Sequence, residues 1–367
     1  MINSLTSFRF FAALMVFLYH IGVTAQLELG TAGVQFFFVL SGFILAYNYH
    51  SKFTELEGVR IKKFYIARFA KIYPVHVLTF LISLPLALLY FNPQGLYFIK
   101  LAYMSSINLL LIQSFFPNQA TYFNFNGVSW TLSVEAIFYL TFPFLVWIFT
   151  KLRMNKNVFR AFFLFLAIWI ALLLLNAKLT EDNSFYVWLL HIFPVARLFE
   201  FACGAVLGLI FVEKFSGVNQ VKSKFTVLEL LSVGLFIVLL VVSRGVDVGI
   251  VRGVYFVPIW CLLIFVYAFQ GGLISKVLSN KTLVYLGEIS FSFYMVHQLV
   301  IRYMDFLTIP VIYKSSISFI LSILLSSLIF KFYEEPLRKK LRYGFNHSNK
   351  QKSMQLPSSP SIESRLS

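Results

Sequence analysis

The segment Ala161-Phe162-Phe163-Leu164-Phe165-Leu166-Ala167-Ile168-Trp169-Ile170-Ala171-Leu172-Leu173-Leu174-Leu175 carries no charge over fifteen consecutive residues. With its flanks, about 159–176, it is long enough to cross a hydrocarbon layer ~30 Å thick as a helix rising ~1.5 Å per residue. A soluble domain would have to hide every face of such a helix, and lipid imposes no such requirement. Comparable runs lie near 8–22, 32–48, 73–91, 131–150, 188–212, 226–243, 253–270, 285–304 and 314–333. The expected fold class is therefore all-α, a polytopic membrane helical bundle of about ten transmembrane helices. Composition agrees: of 367 residues, 59% are hydrophobic and 13% charged, about half the ~25% charged residues of an ordinary soluble domain.

An eleventh apolar stretch, 96–115, follows the third run closely and carries Lys100, Ser105, Ser106 and Asn108. If it is re-entrant or interfacial, loop charge sorts cleanly. Then 23 Lys and Arg, from Lys52 through Arg365, fall on one side against five on the other, Lys100, Lys178, Arg244, Arg252 and Lys314. The positive side is the cytoplasmic one, so both termini are expected in the cytoplasm. The net charge of +16 then reads as loops facing anionic membrane lipid, and no nucleic-acid partner is expected. Residues 344–367 are rich in Ser, Pro, Asn, Gln and Lys without apolar periodicity. They are expected to form a disordered cytoplasmic tail, leaving 1–343 as the membrane domain. Arg9, the run from Phe10 and the small residues Val23-Thr24-Ala25 imitate a cleavable leader. Tyr19 and His20 interrupt its apolar region, and retention is expected. Cys203 and Cys261 lie inside apolar runs, where ionisation is costly, so neither a disulfide framework nor a nucleophilic thiolate is expected.

Few strongly polar side chains remain inside the spans, and each is informative because charge in lipid is expensive. Arg9 and His20 are eleven residues apart, ~16.5 Å along a helix and within ~20° of three whole turns. They share one face at two depths, with Arg9 to the inside and His20 nearer the outside. A snorkelling interfacial arginine and a histidine satisfied by a carbonyl would fit that pair alone equally well. Arg68 and Lys71 stand at i, i+3 before the third span, suited to an anionic soluble ligand such as a phosphate, or to lipid head groups. Glu135 lies about one turn into the fourth span, in Gly127-Val128-Ser129-Trp130-Thr131-Leu132-Ser133-Val134-Glu135, with Tyr139 a turn beyond. Arg197 and Glu200, again i, i+3, are expected in the middle of the sixth span, where mutual neutralisation is the simplest reading. Ser290, Tyr294 and His297 recur at four and three residues on one face of the ninth. Together these groups put anion-binding cations inside and a histidine with a carboxylate towards the outside. An enzyme carrying a group from a cytoplasmic phosphorylated donor to an acceptor across or within the membrane needs that distribution.

In this order the residues resemble acyltransferase family 3, the integral-membrane O-acyltransferases of bacteria that modify carbohydrates and some other hydroxylated acceptors. Leu5-Thr6-Ser7-Phe8-Arg9-Phe10-Phe11-Ala12-Ala13 through His20 is similar to the family's signature of Arg, ten residues and His. Gly33 to Phe43, Arg68 to Pro74, Ser129 to Glu135, Arg197 to Gly204, Gly287 to His297 and Glu334-Glu335-Pro336-Leu337-Arg338 complete the series over about residues 5–340. Lys71 stands where the family often has a second arginine, so a point-charge rather than bidentate phosphate contact is expected there. Many relatives add a hydrolase-like domain after the membrane region; none is expected here, and the transfer is expected to be completed by the membrane domain.

The resemblance implies an acyl-CoA donor, most often acetyl-CoA, as co-substrate with no permanently bound cofactor. It implies a sugar hydroxyl as acceptor, in a surface polysaccharide such as O-antigen, capsule or exopolysaccharide or in its lipid-linked precursor, at the bacterial inner membrane. On that reading Arg9, Arg68 and Lys71 bind the donor, and His20 deprotonates the acceptor hydroxyl as general base. Glu135 orients His20 or the sugar, Trp130 and Ser133 shape the acceptor pocket, and Tyr139, Arg197, Glu200, Tyr294 and His297 belong to that pocket or its surroundings. An acyl-histidine relay is the alternative. Six scattered histidines without paired ligand spacing predict no metal. A transporter or flippase of lipid-linked sugars is the rival from another class, but the internal pseudo-symmetry it predicts is not visible. A membrane glycosyltransferase would want acidic outer loops, and the first outer loop offers only Glu28.

Overall fold

The computed structural model describes residues 2–342 apart from 24, 91–95, 180–182, 216 and 218–221; the tail expected at 344–367 lies outside the described residues. In chain order the helices are α1 (Asn3–His20), α2 (Leu29–Tyr49), α3 (Gly58–Tyr90), α4 (Tyr97–Leu109), α5 (Gln119–Tyr122), α6 (Trp130–Lys151), α7 (Val158–Lys178) and α8 (Ser184–Val187). They continue with α9 (Leu198–Phe215), α10 (Lys222–Val242), α11 (Val248–Arg252), α12 (Val257–Ala268), α13 (Leu273–Leu278), α14 (Lys281–Met304) and α15 (Val311–Ile329). No strand occurs among the described residues. The fold is a helical polytopic bundle.

Eight helical stretches among the described residues are long and apolar enough to cross a membrane. Of the ten runs expected, those forming α1 and α9 fall outside that set. They are also the runs loaded with Arg9 and His20, and with Glu200, Glu213 and Lys214. Both are central. α1 packs between α2 and α14, and α9 lies along α2, so Arg9, His20 and Glu200 face protein rather than lipid, while Glu213 and Lys214 are exposed at the far end of α9. Conversely, α7 and the stretch Lys224–Gly245 are 6% and 11% buried against 78% for Leu29–Lys52, which puts them on the lipid-facing periphery. α4 spans thirteen residues, ~20 Å, too short to cross; the stretch then turns into short helical pieces packed against α6.

Close backbone approach builds the centre. A Cβ on Gly42 of α2 would strike the Phe201 carbonyl of α9, and one on Gly204 of α9 would strike the Val39 carbonyl of α2. Only glycine lets these two helices cross at that distance. Gly287 of α14 meets the Thr6 carbonyl of α1 in the same way. α2 presents Val34 and Phe38 to one hydrophobic core and Phe36, Leu40 and Phe43 to another, so it is the common wall of the bundle. At the start of α1, Ser4 donates to the Tyr267 carbonyl and Ser7 to the Leu278 carbonyl, satisfying groups near the ends of α12 and α13 that lack helical partners.

The structure departs from the sequence reading at the sixth run. Residues 188–212 do not form one helix. A short π-helical turn, Trp188–Ile192, ends at Phe193-Pro194, and α9 begins afresh at Leu198. The Pro194 nitrogen has no hydrogen to donate to a continuing helix, and proline disfavours helical geometry in the residue before it. Arg197 and Glu200 therefore stand at a helix start beside a break, not in the middle of a span. The eighth run, 253–270, enters its helix late: α12 begins at Val257, and the short α11 stands just before the run. α3 extends well beyond the run at 73–91, to 33 residues.

Candidate active site

Three cavities follow one another along α1. At the His20 end a cavity of about 780 Å³ has His20, Trp130, Tyr294 and Arg197 in its wall. Next comes a constriction of about 50 Å³ lined by Arg9, Glu135, Phe37, Phe38 and Tyr294. Beyond it a third cavity of about 470 Å³ reaches Lys71, Glu288 and Arg338 near the start of α1. Val34 and Tyr294 belong to the walls of the first two, and Arg9 to the walls of the second and third. Arg9 and His20 thus occupy one face of an unbroken helix at two depths, in different cavities.

His20 does not stand alone. Its Nδ1 is 3.0 Å from Nε2 of His297, which is fully buried on α14. His297 Nδ1 lies 3.3 Å from the Phe293 carbonyl, an acceptor only, so that nitrogen must carry a proton to bond it. In the neutral ring Nε2 then accepts, and the proton between the rings belongs to His20 Nδ1. His20 Nε2 is left with a lone pair, the state a general base requires. Glu135, expected from the sequence to orient either His20 or the sugar, lies in the next cavity; the hydrogen bond that orients His20 is the one it donates to His297.

Glu135 accepts a 2.8 Å hydrogen bond from Tyr139 and faces Arg9 in the constriction. Arg68 and Lys71 share a helix but diverge. Arg68 donates to the Tyr49 hydroxyl at 3.3 Å and lies over the rings of Tyr49, Phe64 and Tyr139 at 5.5 to 5.9 Å. Lys71 pairs with Glu334 at 2.9 Å and lines the third cavity. Glu334, which also accepts from Ser292, is delivered by a π-helical turn, Phe330–Glu334. That carboxylate sits in a motif legible in the sequence, but its partner was not.

Around the large cavity, Arg197 pairs with Glu200 at 2.8 Å, both almost fully buried. Its other amino group donates to the carbonyls of Arg252 and Gly253. Gln35 of α2 donates to the Val251 and Gly253 carbonyls and accepts from the Phe256 amide, so the turn between α11 and α12 is held from two sides. Arg252 in turn forks onto Glu28 at 2.9 and 3.2 Å. Tyr294 accepts from Thr131, and Gln298 accepts from the Val128 amide. These bonds fix the segment carrying Trp130. Ser133 is fully buried and receives the Ser114 amide at 3.4 Å, without reaching the cavity wall. Gln298, Arg302, Arg252 and His191 line the cavity and were not singled out from sequence. Only the proximity of Gln298 to His297 hinted at any of them. Among the described residues no group of three or more His, Cys, Asp or Glu is placed to hold a metal ion.

An acyltransferase domain, the acyltransferase 3 family, matches residues 2–333. The chain belongs to acyltransferase family 3. Among curated members, an acyltransferase MdmB of Streptomyces mycarofaciens is 32% identical over 339 residues, covering 82% of this chain and 79% of that protein. An O-acetyltransferase OatA of Staphylococcus aureus is 25% identical over 364 residues, covering 95% of this chain and 59% of its own length. A peptidoglycan O-acetyltransferase OatA of Listeria monocytogenes is 24% identical, covering 95% and 58%. The chain therefore spans less than three fifths of those two longer family members. No solved structure matches this acyltransferase.

Proposed function

We propose that this membrane acyltransferase moves an acetyl group from cytoplasmic acetyl-CoA to a hydroxyl of a cell-surface carbohydrate or its lipid-linked precursor, with His20 as general base. The observation that carries the reading is the sequence of cavities along α1. A compartment of mixed charge at Lys71, Glu288 and Arg338 leads past Arg9 to a wide, aromatic-walled compartment holding His20. A long thioester entering at the first presents its acetyl end near the constriction, and a sugar occupies the second.

In the transfer, the acceptor oxygen attacks the thioester carbonyl carbon as His20 Nε2 takes the hydroxyl proton. The C–S bond of the tetrahedral intermediate then breaks, and His20 returns the proton to the departing thiolate, giving the acetyl ester and free CoA. His297 holds the His20 tautomer that makes this possible, as a second residue orients the base in other base-assisted transfers. Arg9 is the cation nearest the constriction and favours negative charge developing there. Names of relatives make a peptidoglycan glycan strand one acceptor of the right class; O-antigen, capsule and exopolysaccharide share its hydroxyl chemistry.

The test is incorporation of label from acetyl-labelled acetyl-CoA into the carbohydrate fraction of membranes holding the wild type or His20→Ala at matched level. Label with the wild type and none with the variant is expected. Equal label with both would overturn the role given to His20.

A further inference from the structure

A fourth cavity, of about 420 Å³, lies where α2 ends and α3 begins. Lys52, Arg60, Lys63 and Arg342 line it, and among the described residues no carboxylate does. Its aromatic side is Tyr49, Phe53 and Phe64. Phe53 and Phe64 are 0% and 2% exposed and brace one another edge to face at 5.3 Å, so this wall is rigid while the cations around it are exposed. Arg60 has a partner, Glu57 at 2.8 Å, but both side chains are nearly half exposed, and such a pair opens readily for a stronger anion.

This cavity adjoins the series already described. Lys71 lines the third cavity and Ala67, one turn earlier on α3, lines the fourth. Arg338 lines the third and Arg342, one turn later, lines the fourth. Tyr47 and Asn48 of α2 face one and Tyr49 the other. One helical turn, ~5.4 Å, therefore separates them on two elements. The third cavity is of mixed charge, with Glu288 and Glu335 in its wall, and suits a neutral arm better than a polyphosphate.

We infer that the fourth cavity binds the phosphorylated adenosine end of the acyl donor, its cations holding the phosphates and its half-buried Tyr49 ring, backed by the buried Phe53 and Phe64, the base. The inference rests on acyl-CoA being the donor. The pantetheine arm then passes through the third cavity and by Arg9, with the thioester at the constriction. Binding of a remote part of the donor is thereby used to position its reacting end. Cations alone would suit an anionic lipid head group equally well; the rigid aromatic wall and the continuity with the reaction path favour a nucleotide.

The experiment uses the full chain in nanodiscs and compares wild type with Arg60→Ser/Lys63→Ser, both exposed positions outside the packed core. Lys276→Ser/Lys281→Ser serves as a control of equal charge. Two readouts are taken: equilibrium binding of adenosine 3′,5′-bisphosphate, and acetyl transfer from acetyl-CoA or from S-acetyl-pantetheine, which lacks the nucleotide. The cavity variant is expected to lose bisphosphate affinity at least tenfold and to raise KM for acetyl-CoA at least tenfold, with wild type and variant converging on S-acetyl-pantetheine. Unchanged bisphosphate binding, or an equal defect with S-acetyl-pantetheine, overturns the inference. A defect that appears only in discs containing anionic phospholipid assigns the cavity to lipid and also overturns it. Bisphosphate binding lost in the variant, with no transfer from acetyl-CoA by the wild type, upholds the nucleotide site and refutes the donor reading instead.

Discussion

His297 Nε2 lies 3.0 Å from His20 Nδ1, joining helices 277 residues apart in the chain. The Phe293 carbonyl fixes the proton on the far nitrogen of His297, and the relay of tautomers leaves His20 Nε2 free to accept a proton. His297→Ala is predicted to lower kcat by about 10²-fold with little change in either KM, the order expected when a base loses its orientation. His297→Gln, whose amide oxygen can accept the same hydrogen, is predicted to recover part of the loss. Wild-type kcat in His297→Ala, measured with saturating substrates, would refute the orienting role.

Trp130 contributes its ring to the large cavity, while its backbone carbonyl, not its ring, accepts from Ser114. Truncation therefore removes wall without cutting that bond. Trp130→Ala is predicted to raise KM for the carbohydrate acceptor by about tenfold, the scale of one lost aromatic contact, while KM for acetyl-CoA stays put. Initial rates against each substrate in turn separate the two; a change confined to the donor would contradict the placement.

Arg197 and Glu200 form an ion pair closed off from solvent, and Arg197 also holds the α11–α12 turn. Arg197→Leu strands the Glu200 carboxylate, and breaking such a pair costs about 3–5 kcal/mol. Arg197→Leu/Glu200→Leu removes both charges and is predicted to melt above the single variant. Melting of the purified protein in detergent decides it: a double variant less stable than Arg197→Leu would show that a stranded carboxylate is not what destabilises the single variant.

Gly42 and Gly204 let α2 and α9 cross with each helix's glycine against the other's carbonyl. Gly204→Val is predicted to abolish the folded, monodisperse protein, since neither backbone can retreat without opening the hydrophobic cores that meet on α2. Gly234→Ala, where nothing lies within 4 Å of the added Cβ, is predicted to be tolerated. Size-exclusion profiles of the two make the comparison, and a well-folded Gly204→Val would remove the argument.

Much of the bundle was legible because lipid is an undiscriminating solvent: a run such as 159–176 has to become a helix, whatever surrounds it. The shared face of Arg9 and His20 followed from helical period alone, as did the meeting of Glu135 and Tyr139 one turn apart. The break after Ile192 was not legible from hydropathy, since the run stays apolar through it and only Pro194 marks it. Partners distant in sequence were not legible either. His20 finds His297, and Lys71 finds Glu334, only once α14 is packed on α1 and a π-helical turn has rotated Glu334 inward. The residues that carry charge could be picked out individually; which of them face each other depended on tertiary packing.

On the proposed function, donor and acceptor enter from opposite ends of α1 and meet between Arg9 and His20. The measurement uses sealed proteoliposomes with the protein in one orientation, acetyl-CoA added to the face bearing Lys71 and Arg338, and the carbohydrate acceptor confined to the other side. Acetylated acceptor is expected in that compartment and is expected to be lost in His20→Ala. Product formed only when donor and acceptor share one side would contradict it.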